Sequence, residues 1–156
     1  MPDSDLKTRL QSDLTEAIRS RDAVRSATLR MALTAVRSAE VAGSSARTLS
    51  DDEVEGVLGR EAKKRREAVT AYTEAGRADR AERENAELAV LEGYLPQQLS
   101  DEELSGIVAD AVSEVSATGA TGPAAMGRVM KLVQPRVARQ AEGSRVAAEV
   151  RRQLSS

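Results

Sequence analysis

The residues best placed to act on a partner are the cations in the last third of the chain. Arginine and lysine contact phosphates, and such contacts provide affinity without reading a base sequence. Arg128 and Lys131 are three residues apart, so on a helix they share a face. The spacing favours a polyanion-binding surface, with a purely solubilising role as the alternative. The candidate phosphate contacts are Arg128, Lys131, Arg136, Arg139 and Arg145.

The uneven distribution of charge favours the same interpretation. The formal net charge of the chain is −2. Residues 123–156 contain seven cations and two carboxylates, a net charge of +5, whereas residues 96–122 contain five carboxylates and no cation, a net charge of −5. A basic segment in an otherwise acidic chain favours a polyanion partner.

A second basic run, Lys63-Lys64-Arg65-Arg66, is the densest in the chain. Four consecutive helical residues point in nearly all directions, so the run is not a one-faced patch. The i, i+4 spacing predicts ion pairs of Glu61 with Arg65 and of Lys63 with Glu67. We therefore favour a solvated helix surface, and a phosphate contact by some of the four stays open.

The residue types that are absent exclude several kinds of chemistry. The chain has no His and no Cys, which excludes an imidazole base, a Ser-His-Asp triad, a thiolate nucleophile and an ordinary zinc site. Its only aromatic residues are Tyr72 and Tyr94, too few for a base-stacking platform. We expect neither metal nor cofactor, and we interpret Glu82, Glu84 and Glu87 as a solvated charged face.

Hydrophobic periodicity predicts an all-α protein without strands. Apolar residues recur at i, i+3, i+4 and i+7, as on the buried face of a helix. Four helices are predicted at about residues 4–20, 22–42, 50–76 and 78–92, and three shorter ones begin near residues 100, 123 and 143. The apolar stripes of the first two helices include Ile18, Val24 and Met31, which are expected to face the core.

The predicted ends of the helices follow from local signals. Ser50 with Glu53 and Ser100 with Glu103 have the spacing of capping boxes. Pro135 is expected to end the sixth helix, because proline cannot donate a backbone hydrogen bond.

Three glycines and a proline have predicted structural roles. Gly93, Tyr94 and Pro96 separate two segments of different composition, which predicts domains at 1–93 and 94–156 with a hinge at Tyr94 and Pro96. Gly127 interrupts an apolar helical stripe at a cost of about 1 kcal/mol relative to alanine. Close approach of another helix would explain it, and a backbone left open to a ligand is the alternative. Gly143 precedes the last helix.

An ordered set of motifs in this chain resembles the YqeY-like family. The set covers nearly the whole chain with plausible spacing. It comprises Thr28-Leu29-Arg30-Met31, Glu61 to Arg66 running on to Tyr72 and Ala75-Gly76-Arg77, Glu84 with Glu87, Tyr94-Leu95-Pro96 with Gln98-Leu99, Gly119-Ala120 and Met126-Gly127-Arg128-Val129-Met130.

The resemblance implies an elongated amino-terminal helical domain of about four helices and a small three-helix domain. That second domain is similar to the tail of GatB, the tRNA-binding subunit of the glutamine-dependent amidotransferase that corrects mischarged tRNA. Relatives carry a Gly-basic-x-acidic-Gly turn before the last helix, where this chain reads Arg139-Gln140-Ala141-Glu142-Gly143. A phosphate contact there would have to come from Arg139 or Arg136.

These observations lead us to expect a non-catalytic accessory factor that binds tRNA, or an amidotransferase or synthetase component, through residues 96–156. One alternative is a protein-interaction module that uses the helical hairpin 50–92. The other is a carbon–nitrogen ligase with glutamine as amido-N-donor, which the missing His, Cys and phosphate-binding loop disfavour. Composition and the amino-terminal residues indicate a cytoplasmic protein without a membrane span, and the oligomeric state stays open.

Overall fold

The computed structural model describes residues 5–155, and this part of the chain folds into seven α-helices with no strand, which confirms the all-α prediction. Residue 4, where the first helix was predicted to begin, lies outside the described residues. No helix in residues 5–155 is long and apolar enough to cross a membrane. The helices are α1 Asp5–Arg19, α2 Ala23–Glu40, α3 Asp51–Glu74, α4 Ala78–Glu92, α5 Asp101–Ser116, α6 Gly122–Val137 and α7 Gly143–Leu154.

Both predicted capping boxes form. At the start of α3 the hydroxyl of Ser50 accepts a hydrogen bond from the backbone N–H of Glu53 at 3.2 Å, and the Glu53 carboxylate accepts one from the N–H of Ser50 at 2.9 Å. Ser100 and Glu103 repeat the arrangement at the start of α5, at 3.1 and 2.9 Å. These bonds satisfy backbone donors that the first turn of a helix leaves unpaired.

The chain divides into two compact units, Met1–Leu95 and Pro96–Ser156. In the first unit, α3 and α4 form a helical hairpin, and α2 packs against α1, α3 and α4. Aliphatic residues fill its core, and Tyr94 and Leu95 pack with this cluster. The fully buried leucines and valines of this core are Leu10, Leu29, Val36, Val54, Leu58 and Leu91.

A partly buried ion pair joins three segments of the first unit. Lys7 Nζ on α1 lies 2.8 Å from Oε1 of Glu40 at the end of α2. The other oxygen of the same carboxylate accepts a hydrogen bond from the N–H of Leu49 at 3.3 Å. The hydrogen bond from Lys7 is the largest cause of the lowered pKa of Glu40. The pair thereby fixes the connection between α2 and α3.

The second unit is a three-helix arrangement of α5, α6 and α7, each of which packs against the other two. Its core consists of small aliphatic side chains, mostly valines from all three helices. The segment before α5 is tied to the turn before α7. The N–H of Leu99 donates to the carbonyl of Gln140 at 2.7 Å, and the side chain of Gln98 donates to the carbonyl of Arg139 at 3.0 Å.

The prediction that Pro135 ends α6 is wrong, because the helix continues to Val137. Proline in the last turn removes only one backbone donor. Val133 and Val137, one turn apart on either side of Pro135, are both buried in the core and hold the last turn in helical form. The helix stops at Ala138, whose φ of +46° breaks the pattern.

Three residues predicted to face the core of the first unit are exposed: Ile18 at 48%, Val24 at 40% and Met31 at 37%. The second helix instead buries Ser26 and Thr28. Their hydroxyls donate to the carbonyls of the preceding turn, at 2.7 and 2.8 Å, so the polar groups are satisfied within the helix.

Candidate functional site

Helix α6 presents the first pair of candidate cations. Ala125, Val129, Val133 and Val137 recur every fourth residue and are buried in the core of the second unit. This stripe turns Arg128 and Lys131 outward, and both are exposed. The sequence of α6, Gly122–Val137, contains no carboxylate. The two cations therefore stand on a helix that offers them no counter-ion of its own.

Neither of these two cations has a carboxylate partner in the described part of the chain. Arg128 Nη1 donates to the hydroxyl of Thr118 at 3.3 Å, a weak contact with an uncharged acceptor. Within residues 5–155 no ion pair is formed by either Arg128 or Lys131. Helical side chains lean toward the amino terminus and cover the preceding turn. Lys131 therefore extends over the turn that contains Gly127.

Gly127 is exposed, and a Cβ added there would meet no atom within 4 Å. The explanation by close approach of another helix is therefore wrong within the described part of the chain. The alternative explanation for glycine at position 127 therefore stands: its backbone is open to a ligand, beside two cations. Gly143 begins α7, and a Cβ would likewise meet nothing there.

The other candidates of the second unit are already engaged. Arg136 Nη2 lies 2.7 Å from a carboxylate oxygen of Glu114 on α5. Arg145 Nη2 lies 2.8 Å from an oxygen of Asp101 at the start of α5. Arg139 is half-buried beside the bonds that tie its turn to Gln98. The structure thus brings Arg128 and Lys131 together but gives Arg136 and Arg145 carboxylate partners.

The structure divides the basic run on α3 by burial. Lys63 and Lys64 are exposed, whereas Arg65 and Arg66 are half-buried. The predicted pair of Glu61 with Arg65 is wrong, because Glu61 pairs with Lys64 at 3.1 Å. No pair between Lys63 and Glu67 forms in residues 5–155.

Arg65 turns toward α4 because α3 and α4 pack along each other. Its guanidinium lies 3.5 Å from Glu84 and 3.3 Å from Glu87, and Nη2 lies 2.7 Å from the sulfur of Met31. The prediction of a solvated face is therefore wrong for Glu84 and Glu87, whose side chains are 18% and 12% exposed. Glu82 is exposed as predicted.

Arg60 is a cation that sequence reasoning missed. It is exposed on α3, three residues before Lys63, so the two share a face. Neither Arg60 nor Lys63 forms an ion pair in the described residues. The sequence signal that indicates Arg60 is its i, i+3 spacing from Lys63 on a helix. A search for consecutive cations does not include it.

Tyr94 lies two residues after the end of α4, and its side chain is buried in the core of the first unit. Its hydroxyl donates to Asp13 at 2.5 Å and accepts from Arg25 at 3.0 Å, and the guanidinium carbon of Arg9 lies 4.7 Å from the ring centre. Burial, together with the hydrogen bond to Asp13, raises the pKa of Tyr94 to about 12. The side chain therefore fastens the residue before Leu95 and Pro96 to α1 and α2, in a neutral form at ordinary pH.

Comparison with known proteins identifies one family. The family model described as Yqey-like protein matches residues 7–154, nearly the whole chain. No curated protein matches the chain.

Proposed function

The chain belongs to the YqeY-like family, and we propose that it is a non-catalytic accessory factor that binds tRNA through the exposed face of α6. The observation that carries the proposal is the grouping of Arg128 and Lys131 beside the open backbone of Gly127, on a helix without a carboxylate. The tRNA-amidotransferase machinery is the proposed setting, by resemblance of residues 96–156 to the GatB tail.

The two cations suit different parts of a phosphate contact. The guanidinium of Arg128 presents a planar set of donors that can bind two phosphate oxygens at once, whereas the ammonium of Lys131 acts as a compact point charge. With no side chain at Gly127, a phosphate can approach the helix below Lys131. Together they support contact with a sugar–phosphate backbone rather than with base edges.

Arg136 and Arg145 have a secondary role in this proposal. Each would have to leave its carboxylate partner, Glu114 or Asp101, before it could bind a phosphate. Exposed ion pairs contribute only about 0–1 kcal/mol, so the exchange is open to a strong anion. They are expected to contribute less than the unpaired cations of α6.

The test is a salt titration of labelled total tRNA with the full chain. Each phosphate contact contributes about −0.9 to the slope of log K against log salt concentration for duplex DNA, and we apply this value to the double-helical arms of tRNA. The double variant Arg128→Gln/Lys131→Gln should therefore flatten the slope by about 1.8. The control Arg151→Gln/Arg152→Gln removes two cations from α7 of the same unit. Arg152 is already ion-paired with Glu149. Absence of saturable binding at low salt, or equal effects of the two double variants, would refute the proposal.

A further inference from the structure

Two helices of this protein carry the same pattern, Gly-Arg-x-x-Lys. On α6 it is formed by Gly127, Arg128 and Lys131, and on α3 by Gly59, Arg60 and Lys63. Both glycines lie in the interior of a helix, where glycine costs about 0.5–1 kcal/mol relative to alanine. At Gly59, as at Gly127, a Cβ would meet nothing within 4 Å. Packing therefore gives no reason for glycine at position 59.

The pattern has a defined geometry on an α-helix. Gly59 and Lys63 are one turn apart, so they lie on one stripe of α3. The side chain of Lys63 leans toward the amino terminus and extends over the turn of Gly59. Arg60, three residues before Lys63, stands beside it. The missing side chain at Gly59 thus leaves a gap beneath one cation and next to another, a place where a phosphate can approach the helix.

The packing of α3 directs this group outward. Val54, Leu58 and Ala62 recur every fourth residue and are buried in the core of the first unit. Arg60 lies about 200° around the helix from both Leu58 and Ala62, and it is exposed together with Lys63.

Two carboxylates lie close to this group along α3. Glu61 is held by Lys64 at 3.1 Å. Glu67, one turn beyond Lys63, is exposed and unpaired within residues 5–155. The cations at Arg60 and Lys63 are therefore at most partly compensated by their own helix.

We infer that Gly59, Arg60 and Lys63 form a second phosphate-binding site, on the first unit, that contacts the sugar–phosphate backbone of RNA. The inference rests on the proposed tRNA-binding function for the nature of the ligand, but its residues lie on another unit. In this inference Lys63 contacts phosphate. Arg65 and Arg66 do not, because each lies within 4 Å of a carboxylate of α4.

The experiment measures binding of labelled total tRNA to the full chain between about 50 and 200 mM salt, the range in which phosphate contacts change affinity most visibly. Arg60→Gln/Lys63→Gln should weaken binding and flatten the salt slope by about 1.8. The matched control is Arg19→Gln/Arg30→Gln, because neither arginine forms an ion pair within residues 5–155. It removes two exposed cations of the same unit that follow Thr15 and Ser26, rather than glycine, by one turn.

Equal slopes for the α3 variant and its control would overturn the inference. If Arg128→Gln/Lys131→Gln still flattened the slope in that case, the proposed function of α6 would stand alone. A flattened slope for the α3 variant with none for the α6 variant would reject α6 and retain α3. Absence of tRNA binding by the unmodified chain would reject both.

Two further measurements separate a site from a general effect of charge. Gly59→Ala should weaken tRNA binding while raising thermal stability, and unchanged affinity would contradict a contact at the open backbone. Inorganic polyphosphate at equal phosphate concentration should bind less tightly than tRNA. The opposite order would overturn the assignment of the ligand to RNA.

Discussion

Gly127→Ala is the substitution that most directly tests the link between the open helix surface and function. It adds one methyl group at a position where a Cβ meets nothing within 4 Å. No steric penalty opposes the gain in helix propensity, which is about 0.5–1 kcal/mol. For a unit the size of Pro96–Ser156, such a gain corresponds to a rise in Tm of about 2–8 °C. The variant should therefore be more stable than the original chain.

The same methyl group should weaken tRNA binding. In the proposed contact it would displace the phosphate from the Lys131 ammonium by about one C–C bond length, about 1.5 Å. At an effective dielectric constant of about 20, an increase in charge separation from about 4 to about 5.5 Å weakens the attraction by about 1 kcal/mol. This corresponds to a loss of affinity of roughly fivefold, because about 1.4 kcal/mol is a factor of ten. Stability and affinity are thus expected to move in opposite directions.

The assay combines thermal unfolding with fluorescence anisotropy of labelled tRNA at low salt. Gly106→Ala is the matched control, since Gly106 is an exposed glycine inside α5 of the same unit whose Cβ would also meet nothing. It should give the same stabilisation without loss of affinity. A Gly127→Ala variant that is stabilised and binds tRNA normally would refute the open-backbone contact.

Two further predictions concern the first unit. Tyr94→Phe removes the hydroxyl that bonds Asp13 and should lower the free energy of unfolding by about 1–2 kcal/mol, as measured by urea denaturation; an unchanged midpoint would show that this bond does not hold the end of α4. The hydrogen bond from Arg47, together with that from the backbone N–H of Ser50, lowers the pKa of Glu53 from 4.5 to about 2. A group whose pKa is depressed by folding stabilises the folded state above its unfolded pKa and loses that contribution as the pH falls through the folded value. Thermal unfolding between pH 6 and pH 2 should therefore show a smaller loss of stability for Glu53→Gln than for the original chain, and identical curves would contradict the role of the pair.

The fold could be predicted from the sequence where its determinants are local. The serine and glutamate of each capping box are three residues apart, and apolar stripes repeat within one turn. The errors arose where packing with another segment decides. Pro135 stays in a helix because Val133 and Val137 are held by the core. The face that α2 packs against α1, α3 and α4 includes Thr28 and leaves Val24 and Met31 exposed.

The site was less predictable for a related reason. A count of cations treats Lys63 and Arg65 alike. On a helix, however, residues two positions apart point about 200° apart around the axis. Arg65 meets the carboxylates of α4, whereas Lys63 faces outward beside Arg60. The partners Glu114 of Arg136 and Asp101 of Arg145 lie 22 and 44 residues away in sequence, so no local rule could have indicated them.

These ion pairs lower the number of phosphate contacts expected when this chain, whose net charge is −2, binds a polyanion. Charges act over a Debye length of about 10 Å at 0.1 M salt, so local grouping matters more than the total. Five independent contacts in the second unit, as the sequence predicted, would give a slope of about −4.5 in log K against log salt concentration. The α6 pair alone would give about −1.8, and both Gly-Arg-x-x-Lys sites about −3.6. The measured slope, and its change in each double variant, therefore reports how many cations remain available for phosphate once the protein's own ion pairs are formed.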